Sequence, residues 1–89
     1  MTVRIETSKQ DATTVVSVAG RLEGPGVGEL VKTCQATEGE IVLDLSGLRS
    51  ADQHGIEAIR NLVRGSAELR RVPPFIRILL NDQPPVDAD

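Results

Sequence analysis

The chain has one imidazole, His54, and one thiol, Cys34. Catalysis or metal binding would need companions for them at set spacings. There is no second histidine, and Asp44, Asp52 and Glu57 show no ligand spacing around His54. Gly20, Gly24 and Gly26 lack the lysine and the spacing of a phosphate-cradling loop, and turn chemistry accounts for them better. A lone cysteine can form neither an intramolecular disulfide nor a cysteine zinc site, and its apolar surroundings mark Cys34 as a small core residue. The sequence thus predicts no catalytic residue, no metal and no cofactor. It leaves one stretch able to meet a ligand or partner: Ser50-Ala51-Asp52-Gln53-His54-Gly55-Ile56, where a loop turns directly into a helix start. Such a start presents unpaired N–H groups and a partial positive charge, which suit an anionic group. Ser50 and Gln53 have capping-box spacing, and Asp52 is an alternative N-cap.

The elements that must hold this stretch follow from periodicity. Val3 and Ile5 alternate with Arg4 and Glu6, which predicts a half-buried edge strand over 2–7. The β-branched run Thr13 to Ala19 predicts a second strand, paired with the first as a hairpin. Gly20 to Gly26 is expected to break it. Pro25 suits the first turn of a helix, in which Val27, Leu30, Val31 and Cys34 share one face. Ile41 to Leu45 is an apolar run interrupted by Asp44, the pattern of a central strand, and Ser46-Gly47 is expected to end it. A second helix should bury Ile56, Ile59, Leu62 and Val63, turn Arg60 and Arg64 outward, and stop at Gly65. Ala67 to Val72 reads as a short strand with Leu69 in the core. Pro73-Pro74 then begins a helix that packs Phe75, Ile78 and Leu79 onto the sheet, with a strand over Phe75–Leu80 as the alternative. The expected fold is α/β: a small mixed four-stranded sheet with an N-terminal β-hairpin and helices covering it. Residues 1–81 form the single domain, and 82–89 read as a flexible acidic tail.

Composition narrows the function classes. A chain of 89 residues supports one core. With Phe75 as the sole aromatic and a formal charge of -3, it suits neither base stacking nor general phosphate-backbone binding, so no nucleic acid is expected. Residues 49–81 carry six Arg against three acids, a surface able to meet an acidic partner or simply to be solvated. No run approaches the length of a membrane span and no leader precedes the first strand, so a cytoplasmic location without membrane insertion is expected.

Two segments resemble a known family. Val18-Ala19-Gly20-Arg21-Leu22-Glu23-Gly24 is similar to the Gly-Arg-Leu signature at the end of the second strand of STAS domains, the anti-sigma factor antagonist fold. Val42 to Leu48, followed by Ala51-Asp52-Gln53-His54-Gly55-Ile56, looks like their central strand and the Asp-Ser-Ser-Gly motif that opens the next helix. The likeness spans roughly residues 3–80. It implies a non-enzymatic protein–protein interaction module in bacterial transcription regulation, with an anti-sigma factor or similar kinase-like regulator as partner. The partner-binding residues it implies are Gly20, Arg21, Leu22 and Glu23, together with Ser50, Ala51, Asp52, Gln53, His54, Gly55 and Glu57. In phosphorylation-switched members, a serine kinase modifies the Ser before the motif's Gly. Here that phosphoacceptor position is His54, and Gln53 precedes it. Alternatives within the fold are a STAS subunit regulating a transporter ATPase and a small-ligand or nucleotide-binding STAS domain. If the docking surface is as described, Gly55→Arg and Asp52→Lys should abolish binding with little loss of fold.

Overall fold

Backbone pairing joins the four strands into one sheet in sequence order, β1 (Val3–Gln10), β2 (Thr13–Leu22), β3 (Glu40–Ala51) and β4 (Glu68–Arg70). The structure, a computed structural model, describes residues 3–81, and the expected tail lies outside them. β1 and β2 form the antiparallel hairpin, whereas β2–β3 and β3–β4 are parallel. Parallel neighbours need a crossover. These are supplied by α1 (Pro25–Gln35) and α2 (Gln53–Arg64), and α3 (Pro74–Asn81) follows β4. The predicted mixed sheet with a hairpin at its edge is the observed one, and Phe75–Leu80 is helical.

The core lies on one face of the sheet. Val16 and Val18 of β2 and Leu43 and Leu45 of β3 meet Leu30 and Cys34 of α1, Ile56 and Ile59 of α2, and Ile76 of α3. All three helices therefore bury their apolar stripes against the same side. Cys34 is buried there, and burial pushes its thiol pKa up, as befits an inert core residue. The opposite face holds the alternate positions Val15, Ser17, Val42 and Asp44, none of which joins the core cluster.

Four expectations need correction. Gly20 does not end β2, which runs on to Leu22; Gly20 takes a positive φ of 90°, and the pairing shifts register between Gly20 and Arg21. Ser46-Gly47 does not end β3. Ser17 pairs with Asp44 but Ala19 with Gly47, so β3 carries one extra residue there, a bulge. Its chemistry is local: the Ser46 N–H donates to Asp44 Oδ1 at 3.0 Å, and a Cβ on Gly47 would lie 2.9 Å from Ala19 Cβ. After the bulge Leu48 again points into the core, 3% exposed.

The other two corrections concern the helices. Val63 is exposed, and Ala58 takes a buried place on α2. On α3 the buried residue is Ile76, with Leu80 packed against the core, while Phe75, Ile78 and Leu79 face outward at 42, 65 and 41% exposure. Both sets fit helical spacing. A run with a single charged residue, Arg77, does not encode which of the two stripes turns inward.

Asp44 is the buried charge of the opposite face, 7% exposed. Arg71 reaches it at 3.0 Å from a backbone with φ of 54°, a left-handed conformation unusual for a residue with a Cβ. Burial by itself raises the carboxyl pKa. The Ser46 backbone and hydroxyl hydrogen bonds, then the Arg71 and Arg70 charges, outweigh it and hold the group below the ordinary aspartate value. A depressed folded-state pKa gives stability that is complete above the unfolded value, about 3.9, and is lost as pH falls through the folded value. Asp44→Asn should therefore lower stability at neutral pH by about 1–3 kcal/mol. The gap to the wild type should close as pH drops below about 3.9 in urea titrations at stepped pH. A gap constant with pH would mean that the ion pair contributes nothing.

Candidate functional site

The two bulges of β3 have a consequence at the top of the sheet. They carry the strand far enough for Arg21 to pair with Ser50 and Leu22 with Ala51. The Asp52 N–H then donates to the Leu22 carbonyl at 3.2 Å, which ties the start of α2 to the end of β2. The segments 20–24 and 50–57, separate in sequence, thus form one corner. Asp52 is the N-cap of α2, its Oδ1 accepting from the Gly55 N–H at 2.8 Å. Ser50 belongs to β3 and caps nothing in this geometry.

Not every residue expected at this corner is accessible. Arg21, Glu23, Gln53, His54 and Glu57 are exposed; Gly20, Ser50, Ala51 and Asp52 are half-buried. Leu22 is 0% exposed, a core residue at the strand end. Gly55 is also buried, against the backbone of Leu22, so neither offers a partner a side chain. Asp52 is structural as well. Losing an N-cap costs about 0.5–2 kcal/mol, so Asp52→Lys perturbs α2 besides changing surface charge. The expectation that Gly55→Arg and Asp52→Lys would spare the fold is corrected by these contacts.

His54 occupies the second position of α2 with its ring in solvent. It has no hydrogen-bond partner among the described residues. Beside it, a depression of about 330 Å³ is bounded by Ala51, Asp52, Gln53, Ile56, Glu57 and, from α3, Leu79. Arg60 closes its far end. That arginine was expected to point outward. Instead it is half-buried and donates from Nε to the Leu80 carbonyl at 3.2 Å and from Nη2 to the Leu79 carbonyl at 3.0 Å. It thereby satisfies the last carbonyls of α3, where a cation also suits the helix dipole. The sequence carried a signal for this, since Arg60 stands four residues after the buried Ile56.

Exposed polar side chains around a shallow depression form a surface that another molecule can meet. Among solved structures, the chain is similar to the anti-sigma factor antagonist SpoIIAA in its unphosphorylated form. The TM-score is 0.71 at 16% identity, over 91% of this chain and 84% of that one. The chain has the STAS fold. An antisigma-factor antagonist STAS domain from Rhodobacter sphaeroides is similar as well, with a TM-score of 0.59 at 20% identity, over 80% of this chain and 86% of that one. No family model matches the sequence, and no curated protein matches it. At this identity the STAS likeness is one of backbone architecture. Among the described residues, no helix is long and apolar enough to cross a membrane.

Proposed function

We propose that the chain is a non-enzymatic docking module of the anti-sigma factor antagonist type. It works in the bacterial cytoplasm by binding an anti-sigma factor or a similar kinase-like regulator through the corner of Arg21, Glu23, Gln53, His54 and Glu57. The observation that carries the reading is the pairing of Arg21 with Ser50 and Leu22 with Ala51, which sets the two motif segments side by side. With an imidazole in the slot of the serine hydroxyl, the corner offers a serine kinase no acceptor at positions 53 and 54. The module is then permanently competent to dock, and its control falls to abundance or to a hydroxyl elsewhere, such as Ser50.

Both Arg21 and His54 are exposed, so acidic substitutions there test docking without touching the core. Affinity capture from the native host should recover an anti-sigma factor, and the purified pair can then be titrated by calorimetry. Arg21→Glu with His54→Glu should weaken binding by roughly ten-fold or more, about 1.4 kcal/mol per factor of ten, with melting unchanged. Full affinity in the double variant would move the interface away from this corner. Recovery of a permease with its ATPase would replace the anti-sigma reading by the transporter one.

A further inference from the structure

β1 and β4 are the two edges of the sheet, eight and three residues long. In an antiparallel pair, alternate residues turn both backbone groups to the neighbouring strand, and those between turn them outward. β1 pairs with β2 on one side, and among the described residues no strand meets its other side. Its outward N–H and C=O groups are a template for a further strand, unless the side chains oppose it. β1 carries Arg4, Glu6 and Lys9, and charges are a common means of blunting an edge. Charges also select, since what they attract or repel depends on the strand that arrives.

A second copy of β1 fits this edge in one register. Outward backbone groups recur at every second residue, so two antiparallel copies must pair odd residues with odd and even with even. Two-fold symmetry then centres the pairing on a single residue. Centred on Arg4, Glu6 or Lys9, it sets like charge directly against like charge. Centred on Val3, Thr7, Ser8 or Gln10, it leaves Arg4 and Glu6 with no opposite charge across the strands. Centred on Ile5, it sets Arg4 of each copy against Glu6 of the other, and the two Ile5 side chains meet on the axis. We propose that β1 is a self-association edge, joining two copies antiparallel about Ile5 into one continuous sheet, with Arg4 and Glu6 selecting the register.

The side chains are already disposed for it. Arg4 and Glu6 stand on the face without helices, beside the small residues Ala19 and Ser17 of β2, with 76 and 66% of their side chains exposed. Within one copy Arg4 Nε lies 3.4 Å from Glu6 Oε2, so pairing about Ile5 closes two such bridges into a ring of alternating charges. Ile5 lies on the other face, half-buried against the core, where its copies extend one apolar layer. β4 is a poorer template, since it is short and Arg71 leaves it with a φ of 54°. Pairing residues 3–7 covers little area, so the association is weak, with a Kd on the order of 0.1–1 mM. β1 begins beside Gly20, and antiparallel pairing points the two strand-end corners in opposite directions. The association therefore stands whether or not the corner binds a partner.

The test is sedimentation and amide NMR of the full chain between about 20 μM and 2 mM, a range that brackets the expected Kd. The wild type should pass from monomer to dimer, with concentration-dependent shifts centred on Arg4, Ile5 and Glu6. Arg4→Glu alone and Glu6→Arg alone each set like charges across the axis and should raise Kd by roughly ten-fold or more. Mixing these two variants restores opposite charges and should recover a dimer with one copy of each. The double variant Arg4→Glu/Glu6→Arg should associate with itself as the wild type does, since it keeps the bridge both within and between copies. A chain that stays monomeric across the range would overturn the proposal. Association untouched by either single variant, or not recovered in the mixture, would place the second copy elsewhere and overturn it as well. Particles that grow beyond the dimer would mean head-to-tail pairing of β1 with β4, which also rejects the two-fold.

Discussion

Gly55→Arg is expected to unfold the domain, although Gly55 belongs to the segment read as a docking surface. A Cβ at this position would lie 2.6 Å from the Leu22 carbonyl oxygen, 3.1 Å from Leu22 Cγ and 3.3 Å from Ala51 Cβ. The nearest of these is backbone and cannot swing aside. That same carbonyl accepts the Asp52 N–H, and the Gly55 N–H is given to the Asp52 carboxylate, so two linked hydrogen bonds fix the start of α2, one of them to the end of β2. Even Gly55→Ala must move the helix, an overpacking penalty of about 1–3 kcal/mol. An arginine adds a long charged chain at a buried position, against a total stability of about 5–15 kcal/mol for a domain. Urea unfolding followed by circular dichroism should give Gly55→Ala a lower midpoint with the wild-type slope and Gly55→Arg no cooperative transition. A Gly55→Arg protein that melts with the wild type would mean that the α2 start is free to lift off the sheet.

The contrast between these contacts and the sequence reading shows what a linear pattern encodes. Strand pairing was legible because Val16 and Val18, and Leu43 and Leu45, repeat with period two, and because Leu30 and Cys34 fit a helix that begins at Pro25. Each is a local rule with one solution. The STAS architecture followed from their order. The strand ends were not legible, since Gly20 and Ser46-Gly47 are breakers in sequence statistics and bulges here. Their meaning depends on a neighbouring strand: Asp44 holds the Ser46 N–H, and Ala19 leaves no room for a side chain at 47. A breaker that is hydrogen-bonded from the side extends a strand with a shift of register.

The same dependence on neighbours separates the accessible from the buried residues of the candidate site. Gly20 to Glu23 and Ser50 to Glu57 were marked as segments, and the pairing of Arg21 with Ser50 and Leu22 with Ala51 sets their strand ends side by side. Within them, Leu22 and Gly55 turn inward because β2 and α2 pack on each other there, a contact between elements 33 residues apart (55 − 22) that no local period encodes. Arg21, Gln53 and His54 remain outside. On α3 the ambiguity was wide, because Phe75, Ile76, Ile78, Leu79 and Leu80 leave Arg77 as the one charged residue to orient the helix. Arg60 resolves it by seizing the carbonyls of Leu79 and Leu80.

Leu43→Asp should abolish folding, and the reason lies one residue further along the strand. Leu43 is 0% exposed and pairs in register with Val16 on one side and Leu69 on the other, within the cluster that the helices close. Truncation to Ala would already cost about 2–5 kcal/mol in lost contacts and cavity. An aspartate there adds an anion whose neighbours Val16, Leu45 and Ile59 offer no donor, and an unpaired buried charge costs several kcal/mol more after relaxation. Together these exceed or match the whole stability of a domain this size. Yet Asp44, the adjacent residue, is also buried and is accommodated, because the pleat turns it to the other face, where the Ser46 N–H and Arg71 meet it at 3.0 Å each. The paired measurement is therefore Leu43→Asp against Asp44→Leu. The first should lack dispersed amide signals and a melting transition, while the second should fold with a loss of about 1–3 kcal/mol. Equal losses from the two substitutions would show that the two faces of β3 accommodate a charge alike, contrary to a sheet with its helices on one side only and donors for Asp44 on the other.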